Sequence, residues 1–128
     1  MGLEIVGTWL LEKFEIEDPT GNKRPWGHGC HGTLIYAPSG HMSVSINRQI
    51  ESKSDNGSKD TMDSILFYAG TYAVDGSTVV HQVTQASDPN RIGKSLLRHG
   101  ELAGDTLSLR SPLESFGTAH LKWKRITQ

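Results

Sequence analysis

The chain has 128 residues, 21% of them charged and 35% hydrophobic, with a net charge of −1 and a single cysteine. That length suits one domain with its own core, and the interleaved acids and bases leave no basic footprint for nucleic acid. No apolar run approaches the roughly 18 residues that cross a bilayer, so neither nucleic acid nor membrane insertion is expected.

The opening Met1-Gly2-Leu3-Glu4 lacks the basic and apolar stretches of a signal peptide. The lone Cys30 excludes an internal disulfide and suits a reducing compartment. A cytoplasmic location is the expectation.

The first element is a long strand from Glu4 to Ile16, with a slip in its alternation near Lys13 that predicts a β-bulge. Asp18-Pro19-Thr20-Gly21-Asn22 is a turn cluster. Gly32–Ala37 and His41–Asn47 flank Pro38-Ser39-Gly40, the chemistry of a three-residue hairpin loop. That register puts Leu34, Tyr36, Met42, Val44 and Ile46 on one face, with Ile35, Ser43 and Ser45 on the other.

Arg48 to Lys59 reads as a polar loop. Asp60 then resembles an N-cap, and Met62, Ile65 and Leu66 fall at helical spacing, which predicts one short helix near residues 60–67.

Two hairpins follow. Phe67–Val74 and Thr78–Ser87 are joined through Asp75-Gly76, and Lys94–Leu102 and Thr106–Ser111 through Ala103-Gly104. The last strand, Thr118–Ile126, puts Ala119, Leu121 and Trp123 on one side and His120, Lys122 and Lys124 on the other. The sum is an all-β chain of eight consecutive antiparallel strands, which closes into an up-and-down barrel and so removes exposed edges. No internal repeat or second domain is visible.

Several ordered motifs resemble the bacterial and fungal lipocalin-like proteins of the calycin type. They are Gly7-Thr8-Trp9, the run Leu34 to Ser43, Tyr68-Ala69-Gly70-Thr71-Tyr72, Val74-Asp75-Gly76, Thr78-Val79-Val80-His81, Asp88-Pro89-Asn90 and Leu102-Ala103-Gly104-Asp105. They cover most of the chain, and His28-Gly29-Cys30-His31 departs from the Pro- and Gly-rich approach of the family. The resemblance implies one lipocalin-like barrel domain over residues 1–128. It also implies a Gly7-x-Trp9 signature at the closed end, with Arg125 of the last strand stacked on Trp9.

Pairing logic nominates the site. Around Ala103-Gly104 it sets Leu102 opposite Asp105 and Arg98 opposite Leu109, so Arg98 shares a face with Leu96, Leu102, Leu107 and Leu109. An arginine there needs an anion or carbonyl partner, whether internal or on a ligand. Around Asp75-Gly76, Tyr72 is set opposite Val79 and Gly70 opposite His81, so Tyr72, Val79, His81 and Val83 share the more apolar face.

Tyr72, His81 and Arg98 are therefore expected to converge in the lumen. There they either fix the polar end of a ligand or, in an enzyme, form the catalytic group. Val79, Val83, Leu96, Leu109, Tyr36 and Met42, with Trp26 at the rim, are the expected ligand-lining residues. His28, Cys30 and His31 carry metal-type side chains but no second ordered ligand pair, so neither metal nor cofactor is expected.

Three functions follow. The leading one is binding of a small apolar or amphipathic molecule, with a carboxylate or carbonyl at its polar end, in the lumen. The second is a cofactor-independent isomerase or cyclase. The third is a ligandless interaction domain, possible as a homodimer. The cavity discriminates among them.

Overall fold

The computed structural model describes residues 3–49, 65–112 and 117–126. Turn chemistry dictates the strand order. Asp18 begins the first turn by accepting the Thr20 and Asn22 amides on Oδ1 at 2.9 and 3.0 Å, which folds β1 (Gly7–Glu17) onto β2 (Lys23–Pro25). At the next reversal the Gly40 amide donates to Ala37 O and the Ala37 amide to His41 O, so Pro38-Ser39-Gly40 forms the expected three-residue loop between β3 (His31–Tyr36) and β4 (His41–Asn47).

The remaining strands are β5 (Ile65–Asp75), β6 (Thr78–Ala86), β7 (Ser95–Ala103), β8 (Thr106–Arg110) and β9 (Thr118–Arg125). Every neighbouring pair is antiparallel, and β1 bonds to both β3 and β9, which shuts the sheet into a barrel.

Nine strands fill eight places around the wall. β2 pairs with Glu15–Glu17 of β1 while β3 pairs with Gly7–Leu10, so the two share one position. Residues 26–30 arch between them. The β-bulge expected near Lys13 lies between Leu11 and Lys13, where β1 slips against β9. Faces follow the alternation. Leu34, Tyr36, Met42, Val44 and Ile46 are buried, whereas Ile35 and Ser45 are exposed.

Three expectations need correction. The short helix over 60–67 is not supported at its end: Ile65, Leu66 and Phe67 pair with Asn47, Ile46 and Ser45 of β4, and residues 60–64 lie outside the described residues. Ile65 and Leu66 fit either period, and the edge of β4 selects the strand. Among the described residues the helical structure is one 3-10 turn, Pro89–Arg91, capped by Asp88.

Second, Asp75 pairs with Thr78 and Ala103 with Thr106, so the loop dipeptides are Gly76-Ser77 and Gly104-Asp105. Each glycine has φ +61, and Ser77 and Asp105 do not have positive φ, the pattern of a hairpin turn with glycine at its first central position. Both registers thus differ by two from those expected: Tyr72 faces His81, and Gly100 faces Leu109. A slip of two preserves every face assignment, because side chains alternate with period two. Third, the strand expected to run unbroken from Thr78 to Ser87 carries a bulge at Thr84, which reverses parity beyond it and turns Ala86 toward the core.

The hairpin loops at Pro38–Gly40, Gly76-Ser77 and Gly104-Asp105 gather at one end, which is plugged. Trp9 is fully buried there, its Nε1 donating to Ile5 O at 3.0 Å. Arg125 lies over its ring, 4.5 Å from the centroid, and donates to Glu4 O. Val79 and Leu107, both fully buried, belong to the same core cluster.

Candidate functional site

Above this plug the lumen stays empty of side chains. A cavity of about 600 Å³ extends toward the end that carries the Asp18–Asn22 turn and the 3-10 turn. Its body is apolar. Phe14 and Ile16 from β1, Leu34 from β3, Val44 and Ile46 from β4, Leu109 from β8, and Ala119, Leu121 and Trp123 from β9 line it. Strand alternation supplies this surface, since each of these residues stands at inward parity.

The polar lining is biased toward positive charge. Among the described residues, Arg24, Arg48, Arg91, Lys94 and Arg98 reach the cavity against one carboxylate, that of Asp88, whose Oδ1 accepts the Asn90 amide. At the rim Trp26 stacks on Phe14 at 4.9 Å between centroids and 11° between planes. Arg48 covers the other ring face at 4.4 Å and donates to Trp26 O at 2.8 Å, so this arginine is held by the rim itself. Arg91 sits over the ring of Tyr68 at 5.9 Å.

In the wall midway along the barrel, β5, β6 and β7 bring together Tyr68, His81 and Arg98. His81 is 2% exposed and has both ring nitrogens engaged: Tyr36 Oη at 2.6 Å on Nε2 and Tyr68 Oη at 2.7 Å on Nδ1. Burial, reinforced by the nearby charge of Arg98, pushes its pKa down to about 3, so the imidazole is neutral at ordinary pH. Burial likewise raises the Tyr36 phenol well above its usual range. It also raises Tyr68, although Arg98 and Arg91 offset part of that shift.

Arg98 donates Nη1 to Leu97 O at 2.9 Å and belongs to none of the ion pairs among the described residues. A guanidinium carries five donors. Most of those of Arg98 remain available to the lumen.

Of the residues nominated from sequence, Arg98, His81, Leu96, Leu109 and Trp26 line the cavity. Tyr72 does not join them. Its hydroxyl donates to Ala37 O at 2.8 Å, and its ring meets Tyr36 edge-on at 4.7 Å, toward the plugged end. Val79, Val83 and Met42 are buried in the core below or beside the cavity, and Tyr36 sits behind His81.

Tyr68 takes the place expected for Tyr72. The two share parity on β5, four residues apart, so the inward face was readable, but the depth at which each phenol meets His81 was not. Near the arch, Cys30 Sγ contacts Gly27 O at 3.7 Å. Among the described residues no cluster of His, Cys, Asp or Glu side chains assembles a metal site.

This closed antiparallel barrel, with a tryptophan plug under an arginine and an open lumen above, defines a calycin-type fold. A family model described as a lipocalin-like domain matches residues 6–126, and the chain belongs to that family. Two solved structures are similar in outline. One is a de novo designed fluorescence-activating β-barrel, 16% identical, covering 95% of this chain and 94% of its own at a TM-score of 0.49. The other is an asparagine-to-glutamine mutant of the fluorescent protein UnaG, 15% identical, covering 98% of each chain at a TM-score of 0.45. No curated protein matches the sequence. Among the described residues no helix is long and apolar enough to cross a membrane.

Proposed function

We propose that the barrel binds a small amphipathic molecule in its lumen, with the apolar body against the β1, β4, β8 and β9 walls and an oxyanion or carbonyl oxygen at Arg98 and Tyr68. The observation that carries this reading is Arg98 itself. Half-buried in the lumen wall, it has no carboxylate partner among the described residues and keeps most of its donors uncommitted, so an oxyanion or carbonyl oxygen entering the cavity meets donors already in place. A cavity of about 600 Å³ lies within the range of small-molecule sites and argues against a ligandless core.

Holding is favoured over transforming. A cofactor-free isomerase needs a base with a free lone pair facing its substrate. Both nitrogens of His81 are occupied by phenols, which leaves the imidazole no lone pair to offer a substrate. The single cysteine supports assignment to the reducing cytoplasm.

The test is a titration with the fluorescent probe anilinonaphthalene sulfonate, followed by displacement with dodecanoate. Dodecanoate is expected to compete. Arg98→Met is expected to weaken it by roughly 10- to 100-fold, the worth of one or two charge-assisted hydrogen bonds. Failure of dodecanoate to displace the probe, or equal binding by Arg98→Met, would remove this reading.

A further inference from the structure

Tyr36 is almost wholly enclosed, with 1% exposure, and does not reach the cavity. The hydrogen bond its hydroxyl makes is to His81 Nε2, at 2.6 Å. The neutral imidazole has one N–H donor and one lone-pair acceptor. If Nε2 carried the proton, it would donate to Tyr36 Oη, and the phenol proton would be left buried without an acceptor. Native interiors avoid that arrangement.

Nε2 therefore accepts from Tyr36, and Nδ1 carries the hydrogen and donates to Tyr68 Oη at 2.7 Å. Arg98, a donor only, stands on β7, the strand next to that of His81, and its guanidinium acts on the same phenol. With a donor already on its oxygen, Tyr68 turns its own O–H toward the space it lines, which is the lumen.

We infer that the chain Tyr36–His81–Tyr68 fixes the hydrogen-bond polarity of the lumen, so that the site selects ligands whose polar end is a pure acceptor, a carboxylate or ketone oxygen, over those that must donate. Tyr68 is the specificity-determining residue, and Tyr36 is a positioning residue acting through His81. The inference rests on the proposed binding role of the lumen. It adds the direction of the protons, which the charge of Arg98 leaves open. An alcohol placed there accepts as a ketone does, but its own proton then faces only donors.

The experiment uses a neutral, near-isosteric pair, a long-chain methyl ketone and the corresponding secondary alcohol, each displacing anilinonaphthalene sulfonate from the intact protein. The ketone is expected to bind about tenfold more tightly. Long-range proton–nitrogen correlation spectra are expected to show His81 protonated on Nδ1. Tyr36→Phe, which removes one oxygen and keeps the ring, is expected to abolish the Nδ1 bias and bring the two affinities together. Tyr68→Phe is expected to lose the preference.

An Nε2-protonated His81, or a ketone preference that survives in Tyr36→Phe, overturns the inference and leaves lumen binding standing. Absence of any displacement by either ligand or by dodecanoate sinks the binding role instead, and the tautomer measured in the same sample then stands alone as the test of proton direction.

Discussion

Arg125 and Arg98 both project toward apolar surface, one at the plugged end and one in the wall of the lumen, and the chain provides for them differently. Arg125 lies on Trp9 and donates to Glu4 O, while the indole N–H of Trp9 finds Ile5 O. Only its Nε is left buried without an acceptor. Arg98 has a single backbone carbonyl, that of its own neighbour Leu97, beside a cavity and a phenol. Where the fold needs an arginine, the chain supplies its partners. Where such partners are missing, at Arg98, we propose that a ligand supplies them.

The two regions should therefore respond to different measurements. Trp9→Ala should give the largest effect, a loss of roughly 3–5 kcal/mol in urea unfolding, because a fully buried indole leaves a cavity that the plug cannot fill. A denaturation midpoint close to that of the unaltered protein would show that the plug is not the keystone assigned to it.

The next effect is a pH dependence rooted in the lumen. His81 has a folded-state pKa of about 3, below its ordinary value near 6.5, so between those limits the unfolded chain binds the extra proton. Its contribution is complete above pH 6.5 and lost as pH falls, by about 1.4 kcal/mol per unit. Compared with His81→Gln, which keeps a donor and an acceptor but does not titrate, the native chain should lose about 2 kcal/mol between pH 6.5 and 5. Parallel stability curves for the two would place a charged imidazole in the wall, contrary to its surroundings.

The smallest effect sharpens the contrast of the arginines. Arg125→Met should cost about 1 kcal/mol through the lost cation–π contact and carbonyl bond. Arg98→Met, measured without ligand, should cost nothing or add stability, since it removes a charge that lacks a carboxylate partner. If Arg98→Met were the more damaging of the two, Arg98 would be a structural residue after all.

Much of the barrel was readable because it is written in local periods and turns. The bulge near Lys13, the Pro38-Ser39-Gly40 loop and the inward set from Leu34 to Ile46 follow from alternation and φ requirements over a few residues. β2 was not readable: Lys23-Arg24-Pro25 is short and wholly exposed, and forms only because the far half of β1 offers an open edge. Ile65–Phe67 suited two periods equally, and β4 chose between them. Of the site, the inward direction of Arg98 and His81 was legible, but the identity of the phenols on His81 was not. Tyr36, Tyr68 and Tyr72 all stand at inward parity, and only their relative depth separates the two that reach the imidazole from the one that turns to Ala37 O.

The sequence alone thus determined which residues face inward wherever a strand runs without an unforeseen bulge, because side-chain parity is a property of the strand and survives a slip of two in register. Tertiary structure decided which inward residues meet, because depth in the barrel depends on register, bulges and strand tilt, all set by pairing between distant segments. The empty lumen is of the same kind. It is a volume left between walls, and no single strand encodes it.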